Sequence, residues 1–233
     1  LSLLMWDEKT NMPKGGLANR TDQIVLIENL IYQKMASPKL WKQVQSKKKN
    51  TSYRIILDEA KKEISRIRKL PSKLVEEISK QTVISESMWE KARMKNDFSV
   101  FSPHLKKLVR LKQRQATYLK IGKTRYESLL QLHEEGLTEK RLSEVFNVLG
   151  NTLSDFLGLV KSTGKYKKQK PLKLSIPINR QKEIYNIMLD QMGITWDKAN
   201  IAESVHPFTT RIGWGDIRLT TRFNHNPLES FSS

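Results

Sequence analysis

The chain contains no cysteine among its 233 residues. This absence excludes disulfide bonds, catalysis by a thiolate and any zinc site built from cysteine ligands. The sequence also lacks an uninterrupted apolar run of membrane-spanning length, and it shows no secretory signal pattern. We therefore expect a cytoplasmic protein with no membrane partner. Its hydrophobic fraction of 38% and its length suit one large domain or two small ones.

Acidic residues are scarce relative to basic ones. Lys and Arg together number 42, whereas Asp and Glu number 24, which gives a formal net charge of +18. Such a charge favours contact with nucleic acid, and basic residues cluster at 47–49, 66–69, 106–114 and 165–170. None of these clusters lies in a motif that reads DNA or RNA. A solvated, Lys-rich surface is the favoured interpretation, and a basic helical nucleic-acid-binding or scaffold protein stays open as the alternative.

Apolar residues recur with helical spacing over most of the chain. The pattern predicts helices at 20–35, 52–68, 72–94, 103–121, 138–161 and 179–192. We therefore predict a mainly α-helical fold, an array of long helices with a small β element near the C-terminus. By composition the chain divides into a helical region at 1–164, a basic linker with two prolines at 165–178, and a helix-plus-strand region at 179–233.

The clearest amphipathic helix is predicted after Thr138, a residue type that commonly caps helix N-termini, and Gly164 ends it. Its apolar residues form a continuous stripe, and we expect this stripe to be buried against neighbouring helices. The stripe consists of Leu142, Val145, Phe146, Leu149, Leu153, Phe156, Leu157 and Val160.

A different periodicity appears near the C-terminus, where residues 216–223 alternate between two faces, one with Ile217, Leu219, Thr221 and Phe223 and the other with charged or hydroxyl side chains. This alternation predicts a half-buried β-strand. Arg218, Thr220 and Arg222 share the polar face with Asp216. At the edge of a sheet, such a strand would pair with an extended peptide through its backbone while its guanidinium groups hold carboxylates.

Two motifs occur in this part of the chain, first His206-Pro207-Phe208 and then Asp-x-Arg-x-Thr, formed by Asp216, Arg218 and Thr220. Further landmarks precede them along the chain. They are Trp6-Asp7, Met12-Pro13, Gly15-Gly16, Leu70-Pro71, Trp89, Arg93, Asp97-Phe98, Tyr126 and Gly136. In order and spacing these features resemble the thermostable zinc carboxypeptidases of the carboxypeptidase Taq family. One departure is Glu203, which stands where that family commonly has an aspartate.

The resemblance implies a zincin-like carboxypeptidase fold and hydrolysis of C-terminal peptide bonds by zinc-activated water. It implies that substrate is bound by His206, Pro207, Phe208, Asp216, Arg218, Thr220 and Arg222. The family's zinc-binding element, His-Glu-x-x-His, does not occur in this sequence, so we expect no catalytic residue and no metal ligand in this chain. We accordingly expect the N-terminal half of a longer enzyme, inactive alone, with the zinc ligands in the other half and a homodimeric intact protein.

Taken without the resemblance, the same residues leave alternatives open. His206, which precedes a proline, is in isolation more typical of a structural histidine. Arg218 and Arg222 are equally compatible with ordinary strand-face charges paired to acidic neighbours. A carboxypeptidase nevertheless has to bind a terminal carboxylate, and a planar guanidinium does so with two hydrogen bonds. Which arginine serves is not decided by the sequence.

Two further hypotheses concern neighbouring residues. A zinc site made by His206 and His225 with Asp216 or Glu229 matches no established ligand spacing and is not favoured. Trp214 lies between two glycines, which allow a close turn and leave the indole as the large side chain there. Its indole is therefore a candidate cover for a bound substrate.

Overall fold

Within residues 1–46, 53–164 and 174–226, which the computed structural model of the chain describes, nine α-helices precede three β-strands. The helices are α1 (Ser2–Thr10), α2 (Leu17–Ala36), α3 (Pro38–Ser46), α4 (Arg54–Arg68), α5 (Ser72–Lys95), α6 (Ser102–Leu119), α7 (Arg125–Leu130), α8 (Glu139–Ser162) and α9 (Ile178–Gln191), and the strands are β1 (Ala199–Glu203), β2 (Thr209–Gly213) and β3 (Asp216–Thr221). None of these helices combines the length and apolar character that a membrane crossing requires. The predicted fold class, mainly helical with a small sheet near the C-terminus, is confirmed.

The helices α7 and α8 begin at threonine residues whose side chains cap them. Thr138 caps α8, because its hydroxyl accepts a hydrogen bond from the Arg141 N–H at 3.2 Å. Thr124 caps α7 in the same way through the Glu127 N–H at 3.1 Å. Just after α8, Gly164 adopts a φ of 62°, a conformation that ends helices and favours glycine. All six predicted helices are present, as α2, α4, α5, α6, α8 and α9.

Residues Val25–Gln169 form one of two compact units. In this unit α5 packs along α6, α7 packs against α6, and α3 contacts α4. The buried amide of Gln81 donates a hydrogen bond to the Ser85 hydroxyl at 2.9 Å within α5, which satisfies a polar group in the interior. The buried aliphatic side chains of the unit are Ile64, Leu74, Val83, Ala92, Leu111, Ala116 and Leu119.

The connection between α6 and α7 closes tightly on a buried carboxylate. Glu127, which is 7% exposed, accepts hydrogen bonds from the N–H groups of Lys123 at 2.7 Å and Glu139 at 3.1 Å. These backbone hydrogen bonds hold the pKa of Glu127 below its ordinary value. A Cβ on Gly122 would lie 2.5 Å from Glu127 Cβ and 2.8 Å from the nitrogen of Ser128, so the chain needs glycine at this close approach.

The second unit comprises Leu1–Ile24 and Lys170–Ser233 and contains the sheet. In this unit α1 contacts β2, and Trp6 of α1 is 6% exposed. Phe223, just after β3, packs edge-on against Tyr185 of α9, with their ring centroids 6.3 Å apart. The helices α1 and α9 thus supply aromatic side chains to the packing around the small sheet.

The three strands pair in the order β1-β3-β2, with β1 parallel and β2 antiparallel to β3. The expectation that the strand beginning at Asp216 lies at a sheet edge and pairs with a peptide is therefore wrong. β3 is the central strand, because strands on both sides occupy its backbone hydrogen-bonding groups. The sequence does not reveal these partners, since the Ala199–Glu203 and Thr209–Gly213 segments show no clear alternation of apolar and polar residues.

The predicted basic linker is described only at its end. Residues 165–173 lie outside the described ranges, as do the basic cluster at 47–49 and Glu229. Where the described chain resumes, the Ile176 N–H donates a hydrogen bond to the His225 carbonyl at 2.9 Å. This contact joins the segment that leads into α9 to the segment that follows β3.

The helix predicted after Thr138 is present, but the burial predicted for its apolar stripe is wrong. Phe146 is 59% exposed and Phe156 is 58% exposed. None of the residues of α8, all of which the structure describes, is buried. A helical period shows that a helix has an apolar face, whereas the presence of an element that covers this face is a separate matter.

We expect Phe146→Ala to lower the free energy of unfolding of this chain by less than about 1 kcal/mol, because the side chain is already largely in water. Leu74→Ala is the matched control, since Leu74 is 1% exposed, and it should cost about 2–5 kcal/mol. Urea unfolding followed by circular dichroism measures both losses. A loss for Phe146→Ala as large as that for Leu74→Ala would contradict the exposure of the α8 face.

We expect Gly122→Ala to destabilise the chain by about 1–3 kcal/mol, because the added methyl group forces the backbone near Glu127 to move. Gly150→Ala is the control, since a Cβ at this position within α8 meets nothing within 4 Å. Alanine in the middle of a helix should stabilise by about 0.5–1 kcal/mol relative to glycine. Thermal unfolding compares the two variants, and shifts of the same sign would show that the close approach at Gly122 has been misassigned.

Candidate functional site

The residues singled out in the sequence lie on β3 and on the segment that leads into β2. The polar side chains of Asp216, Arg218 and Thr220 follow one another at alternate positions of β3, so they share one face. His206 is exposed, and Pro207 and Phe208 are half-buried immediately before β2 begins. Since β2 is hydrogen-bonded to β3, the two motifs lie side by side, although they are separate in the sequence.

Thr220 ties the two motifs together. It is 7% exposed, and its hydroxyl accepts a hydrogen bond from the Phe208 N–H at 2.6 Å while donating to the Phe208 carbonyl at 2.8 Å. The Thr220 N–H also donates to the same carbonyl at 2.9 Å. Both backbone groups of Phe208 are thereby fixed to β3, so the hydroxyl of Thr220 holds the protein chain itself in place.

Arg218 forms a bidentate ion pair with Asp216. Its Nε donates to Oδ1 at 2.5 Å and its Nη2 donates to Oδ2 at 3.1 Å. A guanidinium group has a second bidentate edge, made by Nη1 and Nη2. Within the described residues no hydrogen bond to Nη1 of Arg218 is found, so no carboxylate of these residues occupies this second edge.

The same guanidinium lies over the buried indole of Trp6, with Arg218 Cζ 4.9 Å from the ring centroid. A cation at this distance from a tryptophan face is stabilised by the ring. The motif around Trp6 is itself held by Arg20, which donates to Asp7 at 2.6 Å and to the Leu4 carbonyl at 2.7 Å. Sequence reasoning did not place Trp6 in the site, although the Trp6-Asp7 pair was one of the landmarks of the resemblance.

The ion pair changes the titration of both partners. The hydrogen bonds from Arg218 hold the pKa of Asp216 below its ordinary value of 3.8, and the carboxylate raises the pKa of Arg218 further. Because the folded-state pKa of Asp216 is lowered, the pair stabilises the folded state at pH values above 3.8. This stabilisation is lost as the pH falls through the folded-state pKa.

The remaining candidates lie around this assembly. Arg222 follows β3 and is half-buried. Trp214, in the turn between β2 and β3, is 95% exposed, and the guanidinium of Arg211 lies 4.4 Å from its ring centroid. Gly215 adopts a φ of 72° in the same turn, which is why glycine is needed after Trp214. One face of the indole is thus occupied by Arg211, and the role of Trp214 as a cover for substrate stays a prediction.

The described residues do not fit a metal site. Across residues 1–46, 53–164 and 174–226, no group of three or more His, Asp or Glu side chains is arranged to hold a metal ion. His206, Asp216 and His225 all lie within these ranges and form no such group. A catalytic zinc site needs three protein ligands around an open position, and this arrangement is not found in the described part of the chain.

Comparisons with known proteins agree on one family. The family model described as carboxypeptidase Taq (M32) metallopeptidase matches residues 1–233. Carboxypeptidase 1 of Bacillus subtilis (strain 168) is 30% identical over 99% of this chain, and thermostable carboxypeptidase 1 of Pyrococcus furiosus is 32% identical over 95% of it. The chain spans about half the length of these curated relatives, 47% and 46% respectively.

Solved structures give the same result for the fold. The crystal structure of BsuCP superposes with a TM-score of 0.86 at 28% identity, covering 98% of this chain and 47% of that chain. The structure of the Pyrococcus furiosus carboxypeptidase, described as apo-Mg, gives a TM-score of 0.79 at 30% identity, covering 96% of this chain and 46% of that chain.

We expect Arg218→Ala to return the pKa of Asp216 towards its ordinary value, because the variant removes the hydrogen bonds that lower it. The measurement is an NMR titration of the aspartate carboxyl carbons. Asp197 is the internal control, since its pKa is lowered by a hydrogen bond from Thr195 and should not respond. An unchanged titration of Asp216 in the variant would show that the ion pair does not persist in solution.

Proposed function

The chain belongs to the carboxypeptidase Taq (M32) metallopeptidase family, and on this basis we propose that it provides part of the substrate-binding surface of a metal-dependent carboxypeptidase. The observation that carries this proposal is the second edge of the Arg218 guanidinium. Asp216 occupies the edge made by Nε and Nη2, so the guanidinium keeps its orientation while Nη1 and Nη2 bind another carboxylate. A peptide with a free C-terminus offers such a group.

In this proposal Asp216, Arg218, Thr220 and His206 have distinct tasks. Arg218 binds the C-terminal carboxylate, and Asp216 fixes the plane of the Arg218 guanidinium. The ring of Trp6 packs against one face of the same guanidinium. Thr220 positions the segment before β2 by holding the backbone of Phe208. His206, at the exposed start of that segment, hydrogen-bonds the substrate backbone in this proposal. Roles in substrate binding for Pro207, Phe208 and Arg222 stay predictions of the resemblance.

The proposal also covers the identity of the metal and the location of its ligands. Family membership supports a metal-dependent peptidase, and we infer that the metal is zinc, with its ligands on residues outside this chain. The greater length of the curated relatives supports this inference. Because the described residues do not fit a metal site, no step of the reaction is assigned to a metal held by them. A homodimeric and cytoplasmic enzyme also stays a prediction.

The alternative, a basic nucleic-acid-binding or scaffold protein, is not favoured. The family match extends over residues 1–233, so the basic clusters belong to a chain whose whole length follows a peptidase pattern. The net charge of a chain bears on its association and solubility, but it does not indicate its fold.

The test uses a complete enzyme that carries this chain, and it compares two peptides of the same sequence as competitive inhibitors, one with a free C-terminus and one amidated. We expect the free acid to bind the wild type about tenfold or more tightly than the amide, because a charge-assisted hydrogen bond to carboxylate is lost in the amide. In Arg218→Ala this difference should disappear. Arg218→Lys should restore little of it, since an ammonium group lacks the planar fork.

Arg180→Ala is the control variant, because Arg180 forms an exposed ion pair with Glu183 at 2.7 Å and takes no part in the proposed site. It should keep the full preference for the free acid. If Arg218 served only to brace the fold, Arg218→Ala would weaken both peptides equally and lower the melting temperature. A preference for the free acid that survives in Arg218→Ala would rule out this arginine as the carboxylate receptor.

A further inference from the structure

The strand β1 uses only one side of its backbone for pairing with β3. The Ile217 N–H donates to the Lys198 carbonyl at 2.9 Å, and the Ser204 N–H donates to the Thr221 carbonyl at 3.0 Å. In a parallel pair the residues that face the partner strand alternate with residues that face away. The even-numbered residues from Lys198 to Ser204 therefore face β3.

The alternation directs the N–H and C=O groups of Ala199, Ile201 and Glu203 away from β3. β1 is an outer strand of the sheet, and within the described part of the chain no backbone hydrogen bond to these outward groups is found. Such a row of donors and acceptors, evenly spaced along a strand, is complementary to another extended backbone.

A cavity of about 430 Å³ lies against this strand. All five residues of β1 line it, whereas a cavity on one face of a sheet would meet only alternate residues. The cavity is therefore open to the unpaired edge of β1. Its other walls come from α9, through Tyr185 and Asn186, and from Trp196 and Phe223.

The side chains that line the cavity carry no net charge. Lys182 of α9 donates to Glu203 at 3.0 Å, and its ammonium group also lies 5.3 Å from the ring centroid of Phe223. Burial raises the pKa of the Tyr185 phenol, which therefore stays neutral. These are the titratable groups that line the cavity, and the charges of Lys182 and Glu203 cancel. On a chain with a formal charge of +18, such a neutral cavity does not select a phosphate or a nucleic acid.

We propose that the free edge of β1 and the adjacent cavity form a docking groove that binds an uncharged, extended peptide as a fourth strand of the sheet. Main-chain hydrogen bonds to Ala199, Ile201 and Glu203 supply the affinity, and the aromatic walls accept apolar side chains at alternate positions. The groove lies on the opposite side of β3 from β2 and the segment that contains His206. The choice of a substrate-type peptide as occupant rests on the proposed function.

The experiment uses the full 233-residue chain and a blocked peptide, acetyl-(Thr-Val)₃-amide, whose sequence favours an extended conformation. The blocked ends leave no carboxylate for Arg218. In NMR titrations of ¹⁵N-labelled chain, the amide signals of Ala199, Ile201 and Glu203 should shift together, and their hydrogen exchange should slow. Shifts confined to β2, or no saturable shift of these three amides, would overturn the proposal.

Ile201→Pro tests the outward hydrogen bonds directly. Its N–H points away from β3, so proline at this edge position removes only an outward donor and leaves the sheet paired. Binding should weaken about tenfold or more, whereas the control variant Ile201→Val, which keeps the N–H, should bind like the wild type. Unchanged β3 amide signals show that the sheet is intact, and equal binding by the two variants would overturn the proposal.

Two further binding measurements do not depend on the folding of the proline variant. The same peptide with every backbone nitrogen methylated cannot pair as a strand, and it should give no shifts on β1. Arg180→Ala, which alters an exposed ion pair with Glu183 and does not change the cavity lining, should bind the blocked peptide as the wild type does. Binding of the methylated peptide to β1, or loss of blocked-peptide binding in Arg180→Ala, would show that no separate strand-addition groove exists.

Discussion

The bidentate ion pair between Asp216 and Arg218, stacked on Trp6, is the interaction on which the organisation of the site depends. A guanidinium that lies on a half-buried strand needs a partner for its charge, and Asp216 provides one from two positions along the same strand. Trp6 covers one face of the group, which limits its rotation. The remaining edge therefore points in a fixed direction, and a fixed donor pair binds a carboxylate with less loss of conformational entropy than a mobile side chain would.

This arrangement is possible because β3 is the central strand. Pairing on both sides gives β3 a rigid backbone, and the hydroxyl of Thr220 extends that rigidity to the segment that contains Phe208. The outer strands have a different role, since within the described residues each of them pairs with β3 alone. A three-stranded sheet thus provides a stiff central platform for side chains, and an outer strand such as β1 has an edge that is able to accept a backbone partner.

Much of the helical architecture is predictable from the sequence, because local signals determine helix ends. Thr138 and Gly164 mark the start and end of α8, and both signals act within a few residues of the helix. The strands β1 and β2 are not predictable in this way, since their pairing with β3 is a tertiary contact. The same limit explains why Trp6 was missed as a neighbour of Arg218, and why the exposure of Phe146 differs from the prediction. Residue patterns describe one segment at a time, whereas these features depend on which segments meet.

The uncovered face of α8 has a thermal consequence. Large apolar side chains such as Phe146 and Phe156 stand more than half in water along one side of a long helix. Hydrophobic attraction between such surfaces weakens on cooling and strengthens on warming towards room temperature and above. Solutions of this chain should therefore stay dispersed most easily in the cold, and moderate warming should promote clustering through α8. The tendency of the chain to associate thus depends on temperature through the exposed apolar face of one helix.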